Sequence, residues 1–162
     1  WTLEHSVRVA QVVSDISHLI GMTGEHKLTL LRSGLLHDIG KLSVPVDALD
    51  SVALGEAGRK ALDEHPRIGF DILREEDYEV ARIIVAHHEF QSRAYPRSRT
   101  RQKDDAEFVF LQSLVALADS TDALLSERPY KPPWSIEDTR NFLEGRFYSK
   151  LIEIAINSRA RM

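Results

Sequence analysis

The stretch from Gly34 to Pro45, which reads GLLHDIGKLSVP, constrains the fold most, because it places His37 and Asp38 side by side at the end of an apolar helical run. An imidazole and a carboxylate among hydrocarbon side chains cost free energy unless a partner compensates them. If the helix continues, Lys41 projects from the same face as both residues. A divalent metal ion would compensate the pair. A core histidine bonded to its neighbour is at least as good an explanation for an isolated pair, so the other histidines have to decide.

Apolar residues recur at helical spacing along most of the chain. Helices are predicted over residues 1–20, from about 25 through the opening stretch, and over 56–64, 66–73, 78–89, 106–125, 135–144 and 149–157. Pro66 separates two of them, since a proline disfavours the α conformation in the residue before it. Ser135, with Asp138 three residues later, predicts a helix N-cap of the capping-box type. No strand pattern, repeat or low-complexity segment is found, so the predicted fold is all-α.

Composition narrows the function classes. A chain of 162 residues with 43% hydrophobic and 28% charged residues predicts one domain over 1–162. The net charge of -4 argues against a partner that is a nucleic acid polymer or an anionic membrane. The absence of cysteine leaves His, Asp, Glu and water as metal ligands. No apolar run is read as approaching the roughly 20 residues of a membrane span, and no signal peptide opens the chain, so we expect a cytoplasmic location.

Polar side chains of the kind that bind metals recur on the apolar helix faces or at helix ends beside them. They are His5, His37, Asp38, His65, His87, His88 and Asp119. His18 and His26 fall on faces that we expect to be solvated. Seven such residues from five helical segments suggest that the helices converge on a shared centre. Imidazole and carboxylate suit iron, manganese, zinc, nickel or cobalt, and seven ligands suggest two ions. Paired ions clamp an in-line phosphoryl displacement.

With these residues in place, the chain resembles the HD-GYP branch of the HD superfamily of metal-dependent phosphohydrolases from end to end. The matching blocks are HSVRVA at 5–10, HDIGKLSVP at 37–45, HPRIG at 65–69, HHE at 87–89, YP at 95–96, ADSTDAL at 118–124 and RPY at 128–130. The resemblance implies an HD-domain helical bundle with extra C-terminal helices. It also implies hydrolysis of cyclic di-GMP, or a related cyclic dinucleotide, to a linear dinucleotide or to GMP.

The resemblance assigns roles to individual residues. All seven ligand-type residues would bind two divalent transition-metal ions, iron or manganese in the first place, with Asp38 and Asp119 shared because a carboxylate has two oxygens. Asp38 and Lys41 would be catalytic, the lysine stabilising charge on the phosphoryl oxygens. Substrate binding is assigned to Arg128, Lys131, Tyr95, Arg93 and Arg97. Trp1 stands where some members carry a glutamate for a third ion, so a third ion is not expected.

The signature loop departs from the family pattern. Members read Asp-Gly-x-Gly-Tyr-Pro, whereas residues 91–96 read QSRAYP. The lost glycines remove positive-φ freedom, which affects substrate specificity more than metal binding. The five basic residues between 93 and 103 form either an anion collar or a solvated loop. Asp122 is interpreted as structural, or as supporting the helix that carries Asp119.

Alternatives remain open. The altered loop is compatible with a metal-containing module that binds a cyclic dinucleotide, or a GGDEF-type partner domain, with little or no turnover. A phosphohydrolase of mononucleotides is disfavoured, because three of the histidines extend the minimal single-metal set. We interpret the chain as the output domain of a longer protein, with a sensor or receiver domain upstream and a first helix that continues into a linker or homodimer helix.

Overall fold

The computed structural model describes residues 2–44, 56–91, 105–127 and 132–162, and the regular secondary structure in these ranges is helical. The α-helices are α1 (Thr2–Leu19), α2 (Gly24–Leu36), α3 (Glu56–Asp63), α4 (His65–Leu73), α5 (Tyr78–Ile84), α6 (Ala106–Leu125), α7 (Ile136–Leu143) and α8 (Ser149–Ala160), and a 3₁₀ helix (Ile39–Ser43) follows α2. The predicted all-α class is confirmed.

The core lies where α1, α6 and α8 pack against one another, and α2 packs against both α1 and α6. Each of the three helices contributes one apolar stripe to a single cluster. The fully buried members include Val9, Val12, Val13, Ile16, Leu114, Val115, Leu117, Ile152 and Ile156. Burying a side chain of this kind stabilises the fold by about 1.5–3 kcal/mol. The same helices carry the polar residues of interest at one end of their stripes.

By length and composition alone, helix α6 could cross a membrane, because an 18-residue segment of it has a mean hydropathy of 1.4. The expectation that no apolar run approaches that length was wrong for this helix. However, 61% of this segment is buried inside the domain, so packing accounts for the apolar character of the helix. The other described helices do not meet the same criteria.

Two glycines allow backbones to approach closely on either side of His37 and Asp38. A Cβ on Gly40 would lie 1.9 Å from His65 O and 2.7 Å from Gly69 N, so the 3₁₀ helix packs on α4 backbone to backbone. A Cβ on Gly34 would lie 2.8 Å from Ala10 Cα, where α2 crosses α1. These contacts set the distance from α2 and the 3₁₀ helix to their neighbours, because neither interface has room for a side chain.

The largest differences from the predicted helix ends occur at α2 and α5. Helix α2 ends at Leu36 and the chain tightens into a 3₁₀ helix, whereas the sequence left open an α-helix through Lys41. Helix α5 ends at Ile84 and not near Glu89, and turns follow it. The capping prediction is confirmed, since Ser135 Oγ accepts a hydrogen bond from the Asp138 backbone N–H at 3.0 Å.

Candidate metal centre

The seven predicted ligand residues converge in the structure. Six of them are no more than 6% exposed, and the His88 side chain is 12% exposed. Two groups offer ligand atoms that lie within 4.8 Å of one another. We call them the His5 group (His5, His37 and Asp119) and the His65 group (His65, His87 and His88). A third set, His37, Asp38 and His87, overlaps both groups and joins them.

Within each group, two imidazoles point the same nitrogen at each other. His5 Nε2 lies 3.2 Å from His37 Nε2, and His65 Nε2 lies 3.2 Å from His87 Nε2. Two lone pairs cannot share such a distance in a buried site without a proton or a cation between them. Each pair therefore provides a position suited to a cation.

The opposite ring nitrogen is held by a backbone carbonyl in three of these histidines. Nδ1 of His37, His65 and His87 donates to the carbonyl three residues earlier, at 2.9, 2.6 and 2.5 Å respectively. These carbonyls belong to the last turns of α2, α3 and α5, where a helix leaves its C=O groups unpaired. Because a carbonyl can only accept, the hydrogen stays on Nδ1, and in the neutral ring Nε2 is free to act as a ligand.

Two buried carboxylates divide their oxygens between the groups. Asp38 Oδ2 lies 3.5 Å from His37 Nε2, whereas its Oδ1 lies 3.2 Å from His65 Nε2. Asp119 Oδ1 lies 3.1 Å from His5 Nε2, and its Oδ2 lies 3.9 Å from His88 Nδ1. This is the arrangement that carboxylates shared by two cations need.

One carboxylate oxygen has its hydrogen-bonding capacity unused. In the described part of the chain, Asp38 Oδ1 is buried and accepts no hydrogen bond. Its other oxygen accepts from Lys41 Nζ at 2.5 Å. The expected meeting of Lys41 with Asp38 therefore occurs, although the chain between them is 3₁₀ and not α. An orphaned buried carboxylate oxygen is costly, so a cation fits this site.

Burial opposes ionisation of both shared carboxyls, but nearby cations prevail. His37 and Lys41 hold the pKa of Asp38 well below its ordinary value. The hydrogen bond from His5 does the same for the pKa of Asp119. Both residues are therefore anionic across the physiological range and ready to bind cations.

The pKa of His5 is shifted in the opposite direction to the pKa values of His87 and His88. Burial alone would lower the pKa of His5, but the hydrogen bonds to Asp119 and Asp122 raise it to about 9. Burial lowers the pKa of His88 to about 4, and the charge on His65 acts in the same direction. Burial and the neighbouring His88 also place the pKa of His87 well below its ordinary value. Without a metal, His5 therefore stays protonated in a pH range in which His87 and His88 are neutral.

The comparison with known families agrees with this geometry. A family model described as the HD domain matches residues 2–124. The chain belongs to the HD domain family. The sequence resemblance to its HD-GYP branch is confirmed by the relatives.

Several relatives of this HD domain are named as enzymes that act on cyclic dinucleotides. The "cyclic di-GMP phosphodiesterase response regulator RpfG" of Xanthomonas campestris is 29% identical over 96% of this chain and 43% of its own length. A "cyclic di-GMP phosphodiesterase" of Thermotoga maritima is 31% identical over 91% and 42% respectively. The "3'3'-cGAMP-specific phosphodiesterase 3" of Vibrio cholerae is 31% identical over 93% and 33%. The chain thus spans less than half the length of these relatives.

A solved structure shares the fold. The HD domain of the L. monocytogenes phosphodiesterase PgpH superposes with a TM-score of 0.64 at 17% identity, over 99% of this chain and 90% of that one. At this identity the likeness supports the HD fold alone, which agrees with the predicted bundle.

Most of the hydrogen-bond network around Asp122 in this HD domain was not predicted from the sequence. Asp122 Oδ2 accepts from His5 Nδ1 at 2.7 Å, and Oδ1 accepts from Arg8 Nε at 2.7 Å and from Arg159 Nε. Asp122 is therefore tied directly to a ligand, beyond the structural role favoured from sequence. The available signal was its position three residues after Asp119, on the same face of one helix.

The departure from the family signature also changes the surroundings of a candidate ligand residue. Gln91, which stands where the family has an aspartate, places its side-chain amide 2.7 Å from His88 Nδ1. The predicted solvation of His18 and His26 is confirmed, since both are exposed, and His26 pairs with Glu107 at 3.2 Å. The predicted substrate-binding residues lie outside the described residues: Arg93, Tyr95, Arg97, Arg128 and Lys131.

Proposed function

We propose that this HD domain is a metal-dependent phosphodiesterase that hydrolyses cyclic di-GMP, or a related cyclic dinucleotide, to a linear dinucleotide or to GMP. The observation that carries the proposal is the pair of imidazole groups that share two buried carboxylates. Relatives named as phosphodiesterases of cyclic di-GMP and of 3'3'-cGAMP support the substrate class.

The donor set supports two divalent transition-metal ions, with His5, His37, His65, His87, His88, Asp38 and Asp119 as their ligands. Nitrogen and carboxylate donors without thiolate suit iron or manganese, and also zinc, nickel or cobalt. When bound, such ions acidify water and neutralise charge on phosphate oxygens. Asp38 and Asp119 would each offer one oxygen to each ion, because their oxygens already face different groups.

The protein's own residues supply the remaining electrostatics. Lys41 lies beside the shared carboxylate of Asp38, with its side chain only 16% exposed. A cation in such a partly dehydrated position stabilises negative charge that develops on phosphoryl oxygens. Arg128, Lys131, Arg93 and Arg97 are proposed to hold substrate phosphates, since guanidinium and ammonium groups are the usual phosphate binders. An upstream sensor or receiver domain and homodimerisation remain predictions.

The test begins with metal analysis of the purified protein, followed by incubation with cyclic di-GMP and chromatography of the products. Two ions per chain and a linear dinucleotide or GMP are expected. His37→Ala removes a buried ligand and is expected to abolish turnover. His18→Ala, which removes an exposed histidine of α1, is the matched control and is expected to retain it.

A second function is favoured by one observation, the contact of Gln91 with His88, because it changes the surroundings of a ligand where the family signature is altered. In that case the protein would bind metals and a cyclic dinucleotide, or a GGDEF-type domain, without turnover. Metal-loaded protein that binds cyclic di-GMP but yields no product would support this alternative. One ion per chain would contradict the two-metal arrangement whatever the substrate.

A further inference from the structure

The carboxylate of Asp122, on α6, joins α1 and α8, and one of its partners on α1 is the candidate ligand His5. It is fully buried at the last turns of α6 and receives His5 and Arg8 from α1 and Arg159 from α8. Ser126 Oγ donates to the same carboxylate at 3.2 Å and closes the network. Among these partners, only His5 faces the candidate metal centre.

His5 needs such a partner for a reason that follows from its place in the fold. The other three histidines with an Nε2 in the facing pairs use backbone carbonyls of the last turns of their helices. His5 lies in the first turn of α1, where carbonyls accept hydrogen bonds from N–H groups four residues later. No free carbonyl is therefore available to its Nδ1. A side-chain acceptor has to replace it, and Asp122 Oδ2 lies 2.7 Å away.

We infer that Asp122 is a positioning residue for the metal position that His5 helps to form, and that Arg159 of the last helix holds Asp122 in place. The inference rests on the proposed metal-dependent function. A carboxylate that accepts from Nδ1 fixes the tautomer and the ring orientation, and it makes Nε2 a more basic ligand. Arg8 Nε and Arg159 Nε both donate to Oδ1. Oδ2 accepts from His5 Nδ1 at 2.7 Å, and also from Arg8 Nη2 at 3.1 Å and Ser126 Oγ at 3.2 Å, so the network fixes the carboxylate in the orientation that meets His5. The metal affinity of the His5 group therefore depends on a contact made by α8.

The rival explanation is an ion pair that only joins helices. The chain offers a matched control for it, because Asp15 also links α1 to α8. Asp15 Oδ2 accepts from Ser158 Oγ at 2.6 Å and from Arg161 Nη2 at 3.1 Å, and it contacts none of the seven ligand residues in the interactions described. Asp15→Asn and Arg161→Met thus remove the same kinds of groups between the same helices.

The experiment titrates the chelator-treated chain with Mn²⁺ by calorimetry and compares Asp122→Asn with Asp15→Asn. Asp122→Asn is expected to weaken one binding event by about 10–100-fold, which is the usual effect of removing an outer partner of a ligand histidine. His5→Ala identifies that event, because it removes the ligand itself. The other event is expected to change less than about threefold, since none of the His65-group histidines is held by Asp122 in the interactions described, and His65 and His87 are held by the backbone. Asp15→Asn is expected to leave both events as in the wild type.

Wild-type Mn²⁺ affinities in Asp122→Asn, or equal weakening by Asp15→Asn, would overturn the inference. If Asp122→Asn fails to fold, Arg159→Met provides the second variant, with Arg161→Met as its control. A smaller loss at the same event is expected, because Arg8 still holds Asp122. A wild-type chain that binds no Mn²⁺ would overturn both the inference and the proposed function. Selective weakening in a protein that hydrolyses no cyclic di-GMP would support the inference and contradict the function.

Discussion

The two ligand groups use the same side-chain chemistry but are held in different ways. The His65 group takes two of its Nδ1 acceptors from carbonyls three residues away, at Leu62 and Ile84. In the His5 group, His37 is held by the Gly34 carbonyl, but His5 depends on a side chain 117 residues away, since it donates to Asp122. Anchoring by the backbone survives most substitutions, whereas anchoring by side chains fails when one partner is replaced. The groups should therefore respond differently to mutation and to pH.

The largest effect on metal binding is expected at Asp38, because this residue faces both groups and does not belong to only one of them. Asp38→Asn removes the charge but keeps the shape, so both Mn²⁺ binding events should weaken together. The loss of turnover should exceed the roughly 10–100-fold typical of changes in outer partners, because a shared ligand is affected directly. Calorimetry and product chromatography measure the two effects. Asp71→Asn, at an exposed aspartate of α4, is the control, and a variant that weakened only one event would contradict the sharing.

The second effect concerns stability, since a close backbone contact at a glycine lies behind each group. Gly40→Ala places a methyl group on His65 O and Gly69 N, behind the His65 group, whereas Gly34→Ala places one on Ala10, behind the His5 group. We expect a loss of about 3 kcal/mol or more in the free energy of unfolding for Gly40→Ala and about 1–2 kcal/mol for Gly34→Ala. Urea unfolding of the metal-free chain measures both.

The matched control for the glycine variants is Gly69→Ala. Its added methyl group meets the end of the flexible Ile84 side chain at 3.2 Å, which can move aside. A Gly40→Ala variant as stable as Gly69→Ala would show that the backbone contact at His65 does not restrict the site.

The smallest effect concerns pH in the absence of metal. The pKa of His5 is raised from 6.5 to about 9, so the stability that its proton contributes is present below pH 6.5 and is lost as the pH rises through 9. The pKa of His88 is lowered to about 4, so its contribution is present above pH 6.5 and is lost as the pH falls toward 4. The free energy of unfolding should be highest near pH 6.5 and fall by roughly 1–2 kcal/mol on either side.

Two variants assign the limbs of that pH profile. His5→Gln should flatten the alkaline limb. His88→Gln should make the acid limb shallower without removing it, because the pKa of His87 is lowered as well. Urea midpoints of chelator-treated protein measure both limbs. His18→Gln, at an exposed histidine, should change neither limb. A midpoint that rises steadily from acid to alkaline pH would contradict the raised pKa of His5.

The helices were predictable wherever one face is buried. The bounds of α6 agree with the prediction, and α1 ends one residue before its predicted end, because apolar spacing records which side of a helix meets the core. The 3₁₀ helix after Asp38 was not predictable. Its tight turn follows from the contact of Gly40 with His65, which lies in a different segment of the sequence.

The convergence of the seven candidate ligand residues was predictable from the sequence, whereas the network behind them was not. Histidines on apolar faces are costly, so their pattern is informative without a structure. Arg8 and Arg159 carry no such signal, because arginines are ordinarily exposed. Only the packing of α8 beside α1 and α6 places both guanidinium groups on one buried carboxylate.

The separation of His5 from Asp122 also has a consequence for how the protein is made. Six of the seven proposed ligands precede residue 89, but Asp119 and Asp122 lie on α6. A chain that emerges from the ribosome in order therefore presents the complete set of three His65-group histidines first, while His5 still lacks both of its carboxylate partners. Contacts between such distant segments close late and slow folding. The contacts of His5 with Asp119 and Asp122, and that of Asp122 with Arg159, can therefore form only after α6 and α8 have been synthesised.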